Sequence, residues 1–188
     1  MGLSRSADSR RGPPRRGREV RPTSGLVREA LFNILAGRLR LEGARVLDLF
    51  AGTGALGLEA LRRGALFVIF VEHDRVLAEA IRTRGKAAGW GDRIELWRRD
   101  AVAAVHELGR TARQFDLILL DPPYGRQWIP KTLHAVAVDG ILAPSGTVVA
   151  EGHWRDQPPA DGLTCTREAR YGETTLWFFE HAKEESPP

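Results

Sequence analysis

The sequence predicts a doubly wound α/β domain, a mostly parallel sheet with helices on both faces. From residue 45 the chain alternates short apolar runs of strand length with longer stretches at helical spacing. The apolar runs are hydrophobic at nearly every position, as in strands covered on both sides. The first of them ends in a glycine turn that opens directly into a helical stretch, the start of a βαβ unit.

Taken in order, residues 1–20 carry too few apolar side chains to fold alone and read as a flexible basic arm; residues 21–180 form the body. After Pro22, Leu26, Val27, Ala30, Leu31, Ile34 and Leu35 follow helical spacing, with Thr23 or Ser24 available as N-cap. Strands are expected at Arg45–Phe50, Leu66–Val71, Ile94–Trp97, Phe115–Leu120 and Thr147–Ala150. Helices are expected between them at Ala55–Arg63, Arg75–Ala88, Ala101–Leu108 and Trp128–Val138, with right-handed crossovers. Leu163–Arg167 and Thr174–Glu180 have no helix between them and read as an antiparallel hairpin around Ala169–Glu173. The polar tail, residues 181–188, ends in Pro187-Pro188.

Composition narrows the function class. With 43% hydrophobic residues in 188, the chain has enough apolar side chains for a real core. One cysteine, Cys165, excludes an internal disulfide framework and a cysteine-cluster zinc site. The five histidines show no metal-ligand spacing, so no metal is expected. The longest apolar run, Leu66–Val71, is far too short to cross a bilayer, and nothing near the start resembles a secretory segment. A soluble, cytoplasmic, reduced and monomeric protein with no membrane partner is expected. Charge is more telling by place than by total. Residues 1–21 hold seven arginines against Asp8 and Glu19, a net +5 in a chain whose total is +4, so the rest is close to neutral. A cationic arm on a neutral body suits a polyanionic partner, nucleic acid above all, or else is a solvated tail.

The glycine turn is Gly52-Thr53-Gly54-Ala55-Leu56-Gly57, a G-x-G-x-x-G after the strand that carries Asp48 and Phe50. Twenty residues beyond Gly52, Glu72 ends the next apolar run, where a carboxylate can accept both hydroxyls of a ribose. This points to an adenosine-type cofactor, with packing glycines as the plain alternative. Asp48 decides which cofactor. A carboxylate beside the helix N-terminus repels a pyrophosphate, so a dinucleotide fits poorly. S-adenosylmethionine carries an ammonium and a sulfonium instead, and suits that acid. The candidate cofactor residues are Asp48, Phe50, Gly52, Thr53, Gly54, Glu72, Asp100 and Ala101. Asp100 has a competing role as cap of the helix beginning at Ala101.

A second candidate site follows Phe115–Leu120. Asp121-Pro122-Pro123-Tyr124 places an acid, a rigid turn and an aromatic at a strand's carboxyl end, where open α/β sheets bind ligands. The set suits an exocyclic amine of a nucleobase. Asp121 and the Pro122 carbonyl accept its two N–H groups, and Tyr124 stacks on the ring. Such an amine is a poor nucleophile because its lone pair is delocalised; two acceptors outside the ring plane would turn the lone pair toward a sulfonium methyl. An ordinary Asp-Pro turn is the structural alternative. Asp121, Pro122, Pro123 and Tyr124 are the candidate catalytic residues.

Together these stretches resemble the RsmD family of small-subunit (16S) rRNA guanine-N2 methyltransferases. The matching segments are Arg21–Ser24, Val27–Asn33, Asp48–Leu61, Val71-Glu72, Asp121–Tyr124, and Tyr171-Gly172 with Thr174. The resemblance covers roughly residues 20–180. It implies the class I SAM-dependent methyltransferase (Rossmann-like) fold, a seven-stranded mostly parallel sheet with an antiparallel C-terminal hairpin. It implies methyl transfer to N2 of a guanine in 16S rRNA, on the RNA or the small ribosomal subunit. The candidate RNA-binding residues are Arg11, Arg15, Arg16, Arg18, Arg21, Thr23, Arg28 and Tyr171. This chain departs from the family pattern at Gly25-Leu26, where an Asp-Arg pair is usual. Arg84 stands where the family often has Asn, and Arg11–Arg18 replace the usual N-terminal strand. A DNA adenine or cytosine amino-methyltransferase is the nearest alternative, weakened by the lack of a separate target-recognition segment. An NAD-binding oxidoreductase is a more distant one. Trp128 is singled out as a possible stacking surface, and Cys165 is expected to pack.

Overall fold

The structure is a computed structural model that describes residues 25–123, 127–156, 158–159 and 162–182. Along the chain run α1 (Gly25–Ala36), β1 (Arg45–Asp48), α2 (Ala55–Arg62), β2 (Phe67–Val71), α3 (Arg75–Ala87), a 3-10 turn (Gly91–Arg93), β3 (Ile94–Trp97), α4 (Ala101–Arg110), β4 (Phe115–Leu120), α5 (Trp128–Val138), β5 (Leu142–His153), β6 (Leu163–Tyr171) and β7 (Thr174–His181). The seven strands form one sheet in the order β3-β2-β1-β4-β5-β7-β6. Pairs from β3 to β5 are parallel, while β7 runs antiparallel to both β5 and β6. The basic arm and the end of the tail lie outside the described residues.

Side-chain alternation along each strand builds two cores. One face of the sheet (Leu47, Ile69, Ile118, Val148, Phe179) packs under α4 and α5 through Val105, Leu108, Leu133 and Val136. The other face (Val46, Val68, Phe70, Leu117, Leu119, Val149, Phe178) lies under α1, α2 and α3 through Leu31, Leu35, Leu61 and Ile81. Helices on both faces explain why the central strands are apolar throughout. Among the described residues no helix is long and apolar enough to cross a membrane.

Some observed boundaries differ from the expected ones, and β1 stops at Asp48 rather than Phe50 because Leu49 and Phe50 already turn toward Gly52. β5 begins at Leu142 rather than Thr147, because Ala143–Gly146 are taken up by a bulge opposite Phe115 and Leu117. β6 extends to Tyr171, so only Gly172-Glu173 form the turn, with Gly172 at φ 65°. β7 includes His181, whose Nε2 lies 3.2 Å from the Leu142 carbonyl. Cys165 does not pack as expected: it is exposed on β6, the sheet's edge, beside the register irregularity between Cys165 and Arg167. Partial burial above all raises its thiol pKa.

Candidate active site at the carboxyl edge of the sheet

Strand register brings the acids together. β1 pairs with both β2 and β4, setting Asp48 opposite Phe70 and Leu119; β4 then sets Leu119 opposite Val149. Phe70, Leu119 and Val149 all belong to the core under α1–α3. Residues two positions further on keep that face, so Asp48, Glu72, Asp121 and Glu151 converge at the sheet's carboxyl edge on one side. Asp48, Glu72 and Glu151 are 1%, 8% and 5% exposed, whereas Asp121 is half-buried. Glu151 was not singled out from sequence, although it follows the same pattern of an apolar strand ending in an acid.

Two of these carboxylates shape the glycine turn. Asp48 Oδ2 accepts the N–H of Gly57, 3.0 Å away, and so caps α2 from a neighbouring strand, where Gly54 offers no side chain to do it. Glu72 Oε2 accepts the N–H of Gly52 at 2.8 Å, and Oε1 accepts that of Asp74 at 2.8 Å. From α3, Arg84 Nη1 donates to the Thr53 carbonyl at 2.8 Å, so this departure from the family pattern grips the turn directly.

The three glycines have different reasons. Gly52 sits at φ 53°, and a Cβ there would meet only the Phe50 carbonyl oxygen at 3.9 Å, which leaves its backbone approachable. Gly54, at φ 79°, would set a Cβ 2.8 Å from Ile81 Cγ1. Gly57 is a packing glycine: a Cβ there would run into the Phe70 ring, so it lets α2 press onto β2.

Charge explains what this turn can hold. Burial above all pushes the Asp48 carboxyl up to about 7, and the negative charges of Asp121 and Glu72 push the same way; the Gly57 N–H opposes them. Asp48 Oδ1 is buried and has no hydrogen-bond partner among the described residues. A phosphate group fits poorly, because carboxylates already take the Gly52 and Gly57 N–H groups. A cationic or N–H-rich group fits well: it would pair the orphaned oxygen and favour the ionised acid.

Not every candidate joins this cluster. Asp100 caps α4, its Oδ1 accepting the N–H groups of Val102 at 2.9 Å and Ala103 at 3.1 Å, with Ala101 buried behind it. Phe50 packs against Trp128, ring centroids 6.0 Å apart, so Trp128 is a partner of the site wall and not a bare stacking surface. Pro122 is buried and Pro123 exposed. Tyr171 is 38% exposed at the hairpin tip, which β5–β7 pairing returns to the same edge. Arg28 lines a cleft of about 230 Å³ with Glu59, Arg62 and Arg63, at the C-terminal end of α2 and so a helix length from the glycine turn. Tyr124 and the arm residues Arg11, Arg15, Arg16, Arg18, Arg21 and Thr23 lie outside the described residues.

The strand order, the acid-braced glycine turn and the neighbouring Asp-Pro-Pro turn define a Rossmann-like methyltransferase. The solved Escherichia coli chain "Putative methyltransferase yhhF" superposes with a TM-score of 0.74 at 28% identity, covering 87% of this chain and 89% of that one. A Salinibacter ruber RNA methyltransferase solved with S-adenosyl-L-homocysteine shares the fold, at 18% identity and a TM-score of 0.63 over 88% of this chain and 96% of that one. The chain belongs to the RsmD family: the family model described as "Conserved hypothetical protein 95" matches residues 6–180. "Putative rRNA methyltransferase YlbH" of Bacillus subtilis is 34% identical over 87% of this chain and 89% of its own length. Ribosomal RNA small subunit methyltransferase D of Escherichia coli is 32% identical over 70% of this chain and 64% of its own length.

Proposed function

We propose that this protein transfers a methyl group from S-adenosylmethionine to the exocyclic N2 of a guanine in small-subunit rRNA. One observation carries the reading: the acids that brace the glycine turn and the acid of the Asp-Pro-Pro turn stand at the ends of hydrogen-bonded neighbours β1, β2 and β4, on one face. A donor held on the first set and an amine held by the second would therefore meet. The rRNA target comes from the small-subunit enzyme and the YlbH relative. The cofactor reading is supported by the donor chemistry of the turn and by the neighbour solved with S-adenosyl-L-homocysteine.

In this reading Glu72 holds the ribose hydroxyls with the lone pairs that its bonds to Gly52 and Asp74 leave over. Asp48 Oδ1 accepts from the ammonium group, and the uncovered Gly52 lets the ligand lie on the backbone. When bound, the cofactor supplies an electrophilic methyl carbon on a positively charged sulfur. Asp121 and the Pro122 carbonyl accept the two N–H groups of the amine and hold its lone pair out of the ring plane. When the N–C bond forms as the methyl–sulfur bond breaks and leaves a neutral thioether, the nitrogen would become acidic and Asp121 would pass its proton to water. Asp121 acts mainly by orientation and needs no unusual basicity.

The test is labelled S-adenosylmethionine with unmodified small subunits, free 16S rRNA and duplex DNA, followed by nucleoside analysis. N2-methylguanosine from the rRNA is the expected product. Methylated adenine or cytosine from DNA would replace this reading with the DNA amino-methyltransferase alternative.

A further inference from the structure

We infer that Arg155 and Arg170, stacked on the ring of Trp154, form a clamp for a phosphate of the RNA strand beside the target base. The inference rests on the proposed rRNA substrate and adds a docking point to it.

Two guanidiniums share one ring here. The guanidinium Cζ of Arg170 lies 4.4 Å from the Trp154 ring centroid, and that of Arg155 lies 4.8 Å from it. Several other guanidiniums meet carboxylates: Arg38 meets Glu180 and Arg63 meets Glu59, both at 2.6 Å, and Arg113 meets Glu95 at 3.1 Å. Among the described residues neither Arg155 nor Arg170 has such a partner. Of the acid next to Arg155, Asp156, the Oδ2 atom accepts the His153 N–H at 2.8 Å. Two like charges gathered on one ring repel each other. An anion placed between them removes that cost.

The arrangement is also built in advance. The Arg155 N–H donates to His153 Nδ1 at 3.2 Å, which fixes the turn after β5. Arg170 Nε donates to the Gly172 carbonyl at 2.8 Å, which fixes its stem and leaves its terminal N–H groups for a ligand. Stacking on an aromatic ring holds a guanidinium plane while its edge still donates, the geometry that grips phosphate oxygens in pairs.

Position makes RNA the occupant. Leu120 pairs with Ala150, so Asp121 is level with Glu151, and Trp154 stands three residues further on, in the turn just past the end of β5. At about 3.3 Å per residue that is roughly 10 Å beyond the amine site, within reach of a phosphate near the target nucleotide. Four carboxylates at the strand ends repel a polyanion. A cationic rim beside them draws the backbone in while the acids keep the base amine and the cationic cofactor.

The test uses the full chain with Arg155→Met and Arg170→Met combined, which keeps apolar stems on Trp154. RNA affinity is expected to fall about tenfold or more. The slope of log affinity against log salt should flatten by roughly 0.7–0.9 per lost phosphate contact. S-adenosylmethionine affinity, thermal midpoint and turnover at saturating RNA should stay at wild-type values. The Arg155→Lys and Arg170→Lys pair retains charge without the fork, and should keep the slope while losing part of the affinity. Unchanged RNA affinity and slope in the folded Met pair would overturn the clamp. Failure of the wild-type protein to methylate rRNA would instead overturn the reading beneath it, so the two failures are distinguishable.

Discussion

The parallel half of the sheet and its antiparallel edge carry opposite charge at the same end of the molecule. β1, β2, β4 and β5 are sealed under helices and end in acids on one face, while β6 is open to water and the hairpin end carries guanidiniums. Burial is what separates them. A sealed strand end can hold a carboxylate in low dielectric, where its charge answers to a few neighbours; an open edge holds cations that solvent already supports. In the proposed function the chemistry belongs to the parallel half, and the inferred clamp gives the grip on a polymer to the hairpin half.

The most damaging change should strike where the parallel half touches the amine. Asp121→Ala is expected to lower methyl transfer by about 100-fold or more while cofactor binding survives, read by single-turnover rates and calorimetry. Retained turnover would remove Asp121 from its role. Glu72→Ala should raise the cofactor Kd by about tenfold or more, through lost hydroxyl contacts and a freed Gly52 N–H. A change in RNA affinity alone would contradict this. Gly57→Ala should cost about 1–3 kcal/mol of stability, because the new methyl group meets the Phe70 ring. Denaturant unfolding measures it, and a neutral result would mean that α2 lifts off β2 freely.

The finest test uses pH. Asp48 has a carboxyl pKa raised from 3.8 to about 7, so between those values the folded state holds a proton that the unfolded chain has lost. Its contribution to stability is present below the lower value and is lost as pH rises through the higher one. Asp48→Asn keeps an acceptor for the Gly57 N–H without the charge. Its thermal midpoint relative to wild type should climb from about pH 4 to about pH 7 and level off above, while cofactor affinity falls. A pH-independent difference would mean that Asp48 is not strained by its burial.

Much of this site was legible because its residues stand at the ends of apolar runs. Glu72 and Asp121 each follow a hydrophobic run, Asp48 lies four residues before Gly52 in another, and the glycine spacing marks the turn. Glu151 follows the same rule but sits in a run shortened by Pro144-Ser145-Gly146, whose bulge hides the first half of β5. The far half of β6 was invisible because an edge strand is wetted on both faces, so Thr164–Arg170 carry no apolar signature. The grip of Trp154 on Arg170 needs the hairpin to form first; no local spacing announces it.

The place of β7 bears on how the chain is made. The last strand is not at an edge: it lies between β5 and β6, and its Leu176 and Phe178 complete the core beneath α1. Arg38, just beyond α1, donates to Thr166 and Glu180, which lie 128 and 142 positions later. During synthesis the segment after α1 therefore gains its Thr166 and Glu180 contacts only once β6 and β7 have emerged, and losing β7 would leave β6 with no hydrogen-bonded neighbour.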